Sequence, residues 1–162
     1  MILFVMVETV IQVALPELHV TWLCVTLLSV LYFIYCNEMW NQLDALTGLL
    51  NQNSYLNQTQ KIKYNSGVLV VFDVDDFKQV NDCHGHVKGD LCLAGIAECI
   101  KKAYADSGYC YRIGGDEFCV LLKNRAKEEE CRQEFLRRWT EKRRKFTFFP
   151  TVSYGSAPFS GE

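Results

Sequence analysis

The chain has 162 residues, and 17 Lys and Arg stand against 19 Asp and Glu, for a formal charge of −2. That length holds one domain plus a short extra element, and that balance excludes a general nucleic-acid binder. Eight cysteines form no C-x-x-C pair and no metal spacing, which excludes a zinc module and reads as reduced thiols inside apolar segments.

All 17 Lys and Arg lie at or after Lys61. Met1 to Leu15 is apolar but carries Glu8 and Gln12, ends at Pro16-Glu17 and lacks a basic start, so it makes a poor signal peptide. Leu18 to Cys36 is 19 residues with no charge other than that His19 can take. Its length predicts a transmembrane helix with Trp22, Tyr32 and Tyr35 as interfacial anchors; a buried helix of a soluble protein is the alternative. Asn51 to Lys63 reads as a helix after the Thr47-Gly48 turn. Val68 to Phe72 is an unbroken apolar run, which predicts a central strand buried on both faces. It ends in Asp73, with Asp75 and Asp76 close behind. Lys78, His84, His86 and Lys88 follow in a loop-helix segment. Val87 to Tyr104 predicts a helix with Leu93, Ile96, Ala97, Ile100 and Tyr104 on one face.

Tyr109–Ile113 and Phe118–Leu122 read as strands around Gly114-Gly115-Asp116-Glu117. A Gly-Gly pair there predicts a tight hairpin with positive φ and a bare backbone that a ligand can approach. Ala126 to Lys145 predicts a helix with Cys131, Phe135, Leu136 and Trp139 inward. Its Lys142-Arg143-Arg144-Lys145 end is a solvated terminus that suits the helix dipole, or a basic partner site. Phe146 to Tyr154 is strand-like, with Pro150 marking an edge or a strand start.

Acids at the end of a buried strand suit Mg²⁺, which takes one or two carboxylates plus substrate phosphates. Bases beside them suit the phosphates. Each piece also has a plain structural reading. The hairpin tip is a solvated turn with surface acids, Asn81 and Asp82 cap a turn, and Asp90 is a first-turn acid. A phosphatase with an Asp73-Val74-Asp75 nucleophile leaves the hairpin unexplained.

Three motifs stand in one order: Asp44-Ala45-Leu46-Thr47-Gly48-Leu49-Leu50-Asn51; a D-x-D-x-F-K-x-x-N-D-x-x-G-H-x-x-G-D block over Asp73–Asp90; and Gly114-Gly115-Asp116-Glu117-Phe118. Together they resemble the GGDEF-domain family, the diguanylate cyclases, over residues 44–157. The resemblance implies an α+β fold, the palm-like sheet of nucleotide cyclases with helices on its faces, here preceded by an N-terminal transmembrane helix. The expected division is a membrane segment 1–36, a linker and opening motif 37–50, and the GGDEF domain 51–162.

It further implies condensation of two GTP into cyclic di-GMP by a homodimer. Asp73, Asp116 and the Val74 carbonyl would hold Mg²⁺, with Mn²⁺ as an alternative ion. Asp116 would also accept the proton, with Glu117 a second candidate, and Lys78 would neutralise phosphate charge. Asn81 and Asp90 would read guanine, His86 would line the same pocket, and the N–H groups near Asp76 and Phe77 would cradle the β- and γ-phosphates. The implied location is a bacterial inner membrane, with the catalytic domain in the cytoplasm and no nucleic-acid partner.

Departures from the family pattern temper that reading. Ala105 and Gly108 stand where an Arg-x-x-Asp product-inhibition site is common, and Gln52 and Asn53 replace two arginines. The family continues after the Thr151–Gly155 segment with a helix and a strand, and that helix supplies a lysine and an arginine for the triphosphate. An incomplete domain is therefore expected, and a catalytically inactive GTP-binding or dimerising remnant is the second reading.

Overall fold

The computed structural model describes residues 6, 10, 13, 20–40, 42–61 and 66–160. Two compact units divide the chain, Met1–Asn41 and Gln42–Glu162, so the opening motif belongs to the second.

The first unit contains helix α1, Val20–Trp40. Its large apolar side chains, Leu23, Leu27, Leu31, Phe33 and Ile34 among them, are exposed. Ser29 satisfies its hydroxyl by donating to the Val25 carbonyl (2.8 Å). The expected transmembrane span over 18–36 is not shown: among the described residues no helix is long and apolar enough to cross a membrane. Leu18 and His19 lie outside the described residues, and α1 runs past Cys36 through Asn37 and Glu38.

The second unit contains α2 (Gln52–Lys61), β1 (Gly67–Val74), α3 (Phe77–His84), α4 (His86–Tyr104), β2 (Gly108–Arg112), β3 (Glu117–Leu122), a 3₁₀ turn (Arg125–Lys127), α5 (Glu128–Lys145) and β4 (Val152–Phe159). The strands form one antiparallel sheet in the order β2-β3-β1-β4.

Alternation along β1 sets the layers. Val68, Val70, Phe72 and Val74 are buried with Leu93, Ile96 and Ile100 of α4 and Cys131 and Phe135 of α5. The Phe72 ring lies 4.9 Å from Phe135 and 5.8 Å from Tyr104, centroid to centroid. Burial of each such side chain stabilises by about 1.5–3 kcal/mol.

The reverse face differs from expectation. Val71 is 38% exposed and Asp73 is exposed, so β1 is not buried on both faces. The reason is the antiparallel pairing: α4 and α5 cover only one side, whereas a continuous apolar run suits a parallel strand covered on both. On the reverse face a smaller cluster joins Tyr111, Cys119 and Leu121 to Leu50, Tyr55 and Leu69.

The last strand also differs. Residues 146–149 turn rather than extend, with the Phe149 N–H donating to the Phe146 carbonyl (3.1 Å). That turn buries Phe149 against α4, where it needs Gly95: a Cβ there would lie 2.8 Å from the Phe149 ring. The strand starts at Val152, beyond Pro150, and carries Pro158 at the sheet edge, where a missing N–H costs no ladder bond.

Candidate active site at one end of the sheet

Pairing of β1 with β3 places Asp73 directly opposite Glu117. Opposed residues of an antiparallel pair share a face, so two acids lie on one face of the sheet end, an arrangement that like charge disfavours unless a cation joins them. Beyond the ladder, the Val74 N–H donates to the Asp116 carbonyl (3.3 Å), which binds the hairpin tip to the end of β1. Asp116 is half-buried and Glu117 exposed.

The hairpin closes by a different device from the one expected. Positive φ among described glycines occurs at Gly48 and Gly85, not at Gly114 or Gly115. Gly114 instead lies beneath the Glu117 side chain: a Cβ there would lie 2.5 Å from Glu117 Oε2 and 3.2 Å from its Cβ, so that side chain would shift to admit one. Around Gly115 a Cβ would meet nothing within 4 Å, so that position is open.

The sequence reading missed Arg112, which holds this turn. Its Nε and Nη2 donate to the Gly115 carbonyl (3.2 and 2.6 Å), and its Nη1 donates to Asp44 Oδ1 (3.0 Å). Asp44 also accepts from the Thr47 N–H (2.9 Å) and hydroxyl (2.6 Å). Partial burial pushes the Asp44 carboxyl up, but the Thr47 and Arg112 hydrogen bonds outweigh it and hold its pKa below the usual carboxylate value. Strand-like bonds complete the join: Leu50 N–H to the Cys110 carbonyl (3.0 Å) and Arg112 N–H to the Leu50 carbonyl (2.8 Å). The only sequence signal was an arginine just before the turn and an aspartate opening another motif.

After β1 the chain turns through Asp75 and Asp76. Ser153 donates to Asp75 Oδ1 (2.7 Å), and this bond, with one from Thr151, holds the Asp75 carboxyl below its usual range. Asp75 is thus tied to β4. Asp76 adopts left-handed backbone (φ 51°, ψ 32°) at the start of α3 and makes no side-chain cap. The first N–H groups of α3, at Phe77 and Lys78, have no intrahelical acceptor and carry the positive end of the dipole.

Gly85 (φ 81°) turns α3 into α4 and brings Asn81 against Gly89, where a Cβ would collide with Asn81 Oδ1. That Oδ1 is buried and has no hydrogen-bond partner. A buried acceptor without a donor costs about 1–3 kcal/mol, which a ligand N–H can recover.

The side chains of Asp73, Asp116, Glu117, Lys78, His86 and Asp90 make no hydrogen bond or ion pair among the described residues. Lys78, His86 and Asp90 are exposed, on α3 and the first turns of α4. Among the described residues no group of three or more His, Cys, Asp or Glu forms a metal cage. The donors present, two carboxylates and a backbone carbonyl at adjoining strand ends, still fit Mg²⁺, whose shell is otherwise filled by phosphates and water. Position 108 does not accept an acid, because a Cβ at Gly108 would strike the Leu121 carbonyl.

Against this geometry, the family described as diguanylate cyclase, GGDEF domain, matches residues 41–160. The chain belongs to the GGDEF-domain family. Over 85 residues, 49% of the chain, it is 42% identical to the probable diguanylate cyclase DgcJ of Escherichia coli strain K12, of which it covers 17%. It is 34% identical over 105 residues, 62% of the chain, to the diguanylate cyclase DgcZ of the same organism, of which it covers 36%. The chain therefore spans a sixth to about a third of these relatives' lengths. Among solved structures, the GGDEF domain of DgcB from Caulobacter crescentus, in complex with cyclic di-GMP, is similar at a TM-score of 0.62 and 25% identity, over 74% of this chain and 78% of that one. Diguanylate cyclase SiaD of Pseudomonas aeruginosa, in complex with its activator SiaC, is similar at 0.66 and 26% identity, over 98% and 70%. The α+β GGDEF fold is thus as the motifs implied.

Proposed function

We propose that this protein condenses two molecules of GTP into cyclic di-GMP. The observation that carries the reading is the join of the hairpin tip to the end of β1, Val74 N–H to Asp116 carbonyl, with Asp73 opposite Glu117. Asp73, Asp116 and the Val74 carbonyl would hold Mg²⁺, or Mn²⁺, which when bound polarises the α-phosphate and acidifies the attacking hydroxyl.

The chain's own groups do the rest. The unpartnered Asn81 Oδ1 accepts from the guanine edge, and Asp90 accepts from N1–H and the 2-amino group, a pattern adenine lacks. His86 borders the same pocket. N–H groups of Asp76 and Phe77 at the start of α3 hold the outer phosphates, and Lys78 offsets charge that builds on them. The 3′-oxygen of one GTP attacks the α-phosphorus of the other. A new P–O bond forms, the α–β phosphoanhydride breaks, and pyrophosphate leaves with the electron pair. Asp116, or Glu117 beside it, takes the hydroxyl proton. Two such transfers close the ring, so two copies of the domain each present one GTP.

We further propose that the N-terminal segment contacts a bacterial inner membrane with the catalytic domain on its cytoplasmic side; the exposed apolar surface of α1 supports the membrane contact alone. A reporter fused after Glu162 would then be active only as a cytoplasmic enzyme; periplasmic alkaline phosphatase activity would refute this. For the site, calorimetry with GTP and with ATP in Mg²⁺ tests the base reading. GTP should bind at least tenfold more tightly, and Asp90→Ala should erase most of the difference; equal affinity for both nucleotides would overturn it.

A further inference from the structure

We infer that the outer face of α4 and the C-terminal end of α5 form a docking surface for an anionic lipid membrane. Its apolar end adjoins the proposed GTP site, Val87 following His86 and Leu91 following Asp90, and its basic end lies further along the helix pair. Val87, Leu91, Ala94, Glu98 and Lys102 recur at spacings of three and four, so they form one stripe along α4, opposite the buried Leu93, Ile96 and Ile100. The N-terminal half of the stripe is apolar and projects into solvent, with Val87 77% and Leu91 59% exposed.

Phe146, 46% exposed, flanks it, and a cleft of about 280 Å³ runs between Leu91, Gly95, Phe146 and Phe148. The Lys88 ammonium sits 5.4 Å from the centre of the Phe148 ring, at the border of the apolar half.

The other half is basic. A second cleft of about 360 Å³, sharing Glu98, Lys142 and Phe146 with the first, is lined by Lys102, Arg138, Lys142 and Lys145 against the carboxylates of Glu98 and Glu141, with Arg138 paired to Glu134 (2.6 Å). Lys102 and Lys142 both bond Glu98, so that acid is fully committed. Lys145 makes no ion pair among the described residues.

Charge complementarity selects the occupant. Projecting aliphatic side chains beside an excess of cations match an interface of anionic headgroups over acyl chains. A nucleic acid would use the cations and stack on Phe146 but leave the aliphatic Val87 and Leu91 in water. The first sixty residues hold no Lys or Arg, so attraction to an anionic leaflet must come from this domain.

Vesicle co-sedimentation of the full chain tests this, comparing phosphatidylcholine alone with phosphatidylcholine containing phosphatidylglycerol. The apolar, unbasic α1 does not discriminate between the two, so the readout is the preference for the anionic vesicles. Wild-type protein should prefer them, and K102Q with K145Q should cut that preference about thirtyfold, from roughly one interfacial charge each. Val87→Ser with Leu91→Ser, both exposed and so tolerated by the fold, should weaken binding that persists at high salt, where charge is screened. Circular dichroism melts confirm folded variants. Equal binding to both vesicle types, an unchanged preference in K102Q/K145Q, or displacement by RNA but not by phosphatidylglycerol would overturn the proposal. Synthesis from GTP is read separately, so failure here leaves the GTP site standing.

Discussion

Arg112→Ala removes the clamp that fixes the GGDEF turn. Three donors are lost: two to the Gly115 carbonyl and one to Asp44 Oδ1. Hydrogen bonds to charged groups contribute about 1.5–3 kcal/mol each when buried. Here the Arg112 side chain is 14% exposed and that of Asp44 25%, so water recovers part of the loss. Asp44 also keeps its two bonds from Thr47. A net cost of about 1–2 kcal/mol follows, or a fall in Tm of roughly 3–8 °C for a domain of this size.

Arg112→Lys should recover the charge pair but not the fork onto Gly115, and so restore stability more than turn order. Acid titration adds a second reading. Asp44 has a depressed folded pKa, so its contribution is complete above the unfolded value near 4 and fades as pH falls through the lower folded one. Without Arg112 that window shifts upward. The assay is thermal denaturation across pH 2–7, with hydrogen exchange at the Gly115–Glu117 amides. A variant with wild-type Tm and wild-type protection of those amides would refute the reasoning.

Gly89→Ala places a methyl on Asn81 Oδ1 and within 3.3 Å of the Phe77 ring, so it must swing that buried amide aside; GTP affinity should drop at least tenfold by calorimetry, and Tm should fall with it. Phe72→Ala empties the centre of the sheet–helix layer; denaturant titration should show a loss of about 3–5 kcal/mol. Cyclic di-GMP should not inhibit synthesis noncompetitively, because Ala105 and Gly108 offer no charge and a side chain at 108 would strike the Leu121 carbonyl; saturation kinetics with added product checks this.

The site was legible where its residues are consecutive. Asp73 to Asp90 and Gly114 to Phe118 each sit in one stretch, so their order could be read without knowing the fold. The Arg112–Asp44 clamp joins residues 68 apart, and no local period points to such a pair. Glycine roles were misplaced for a related reason. Gly-Gly suggested positive φ, but neither glycine has it, and Gly114 lies instead beneath the Glu117 side chain, a placement the dipeptide does not signal. Likewise, Val68–Phe72 carries no signal of strand direction, and direction decides whether one face or two is covered. Phe146–Phe149 looked extended because aromatic residues favour strands, yet burial of Phe149 against Gly95 overrides that preference.

The central claim rests on the acids at the hairpin tip and the end of β1. Incubation of the protein with GTP and Mg²⁺, followed by chromatographic detection of cyclic di-GMP and pyrophosphate, tests it most directly. Wild-type protein should form both, and Asp116→Ala and Asp73→Ala should each lower the rate on the order of 10² to 10³ while circular dichroism shows the fold intact. Wild-type rates in Asp116→Ala, or no cyclic di-GMP from the unmodified protein, would contradict the account.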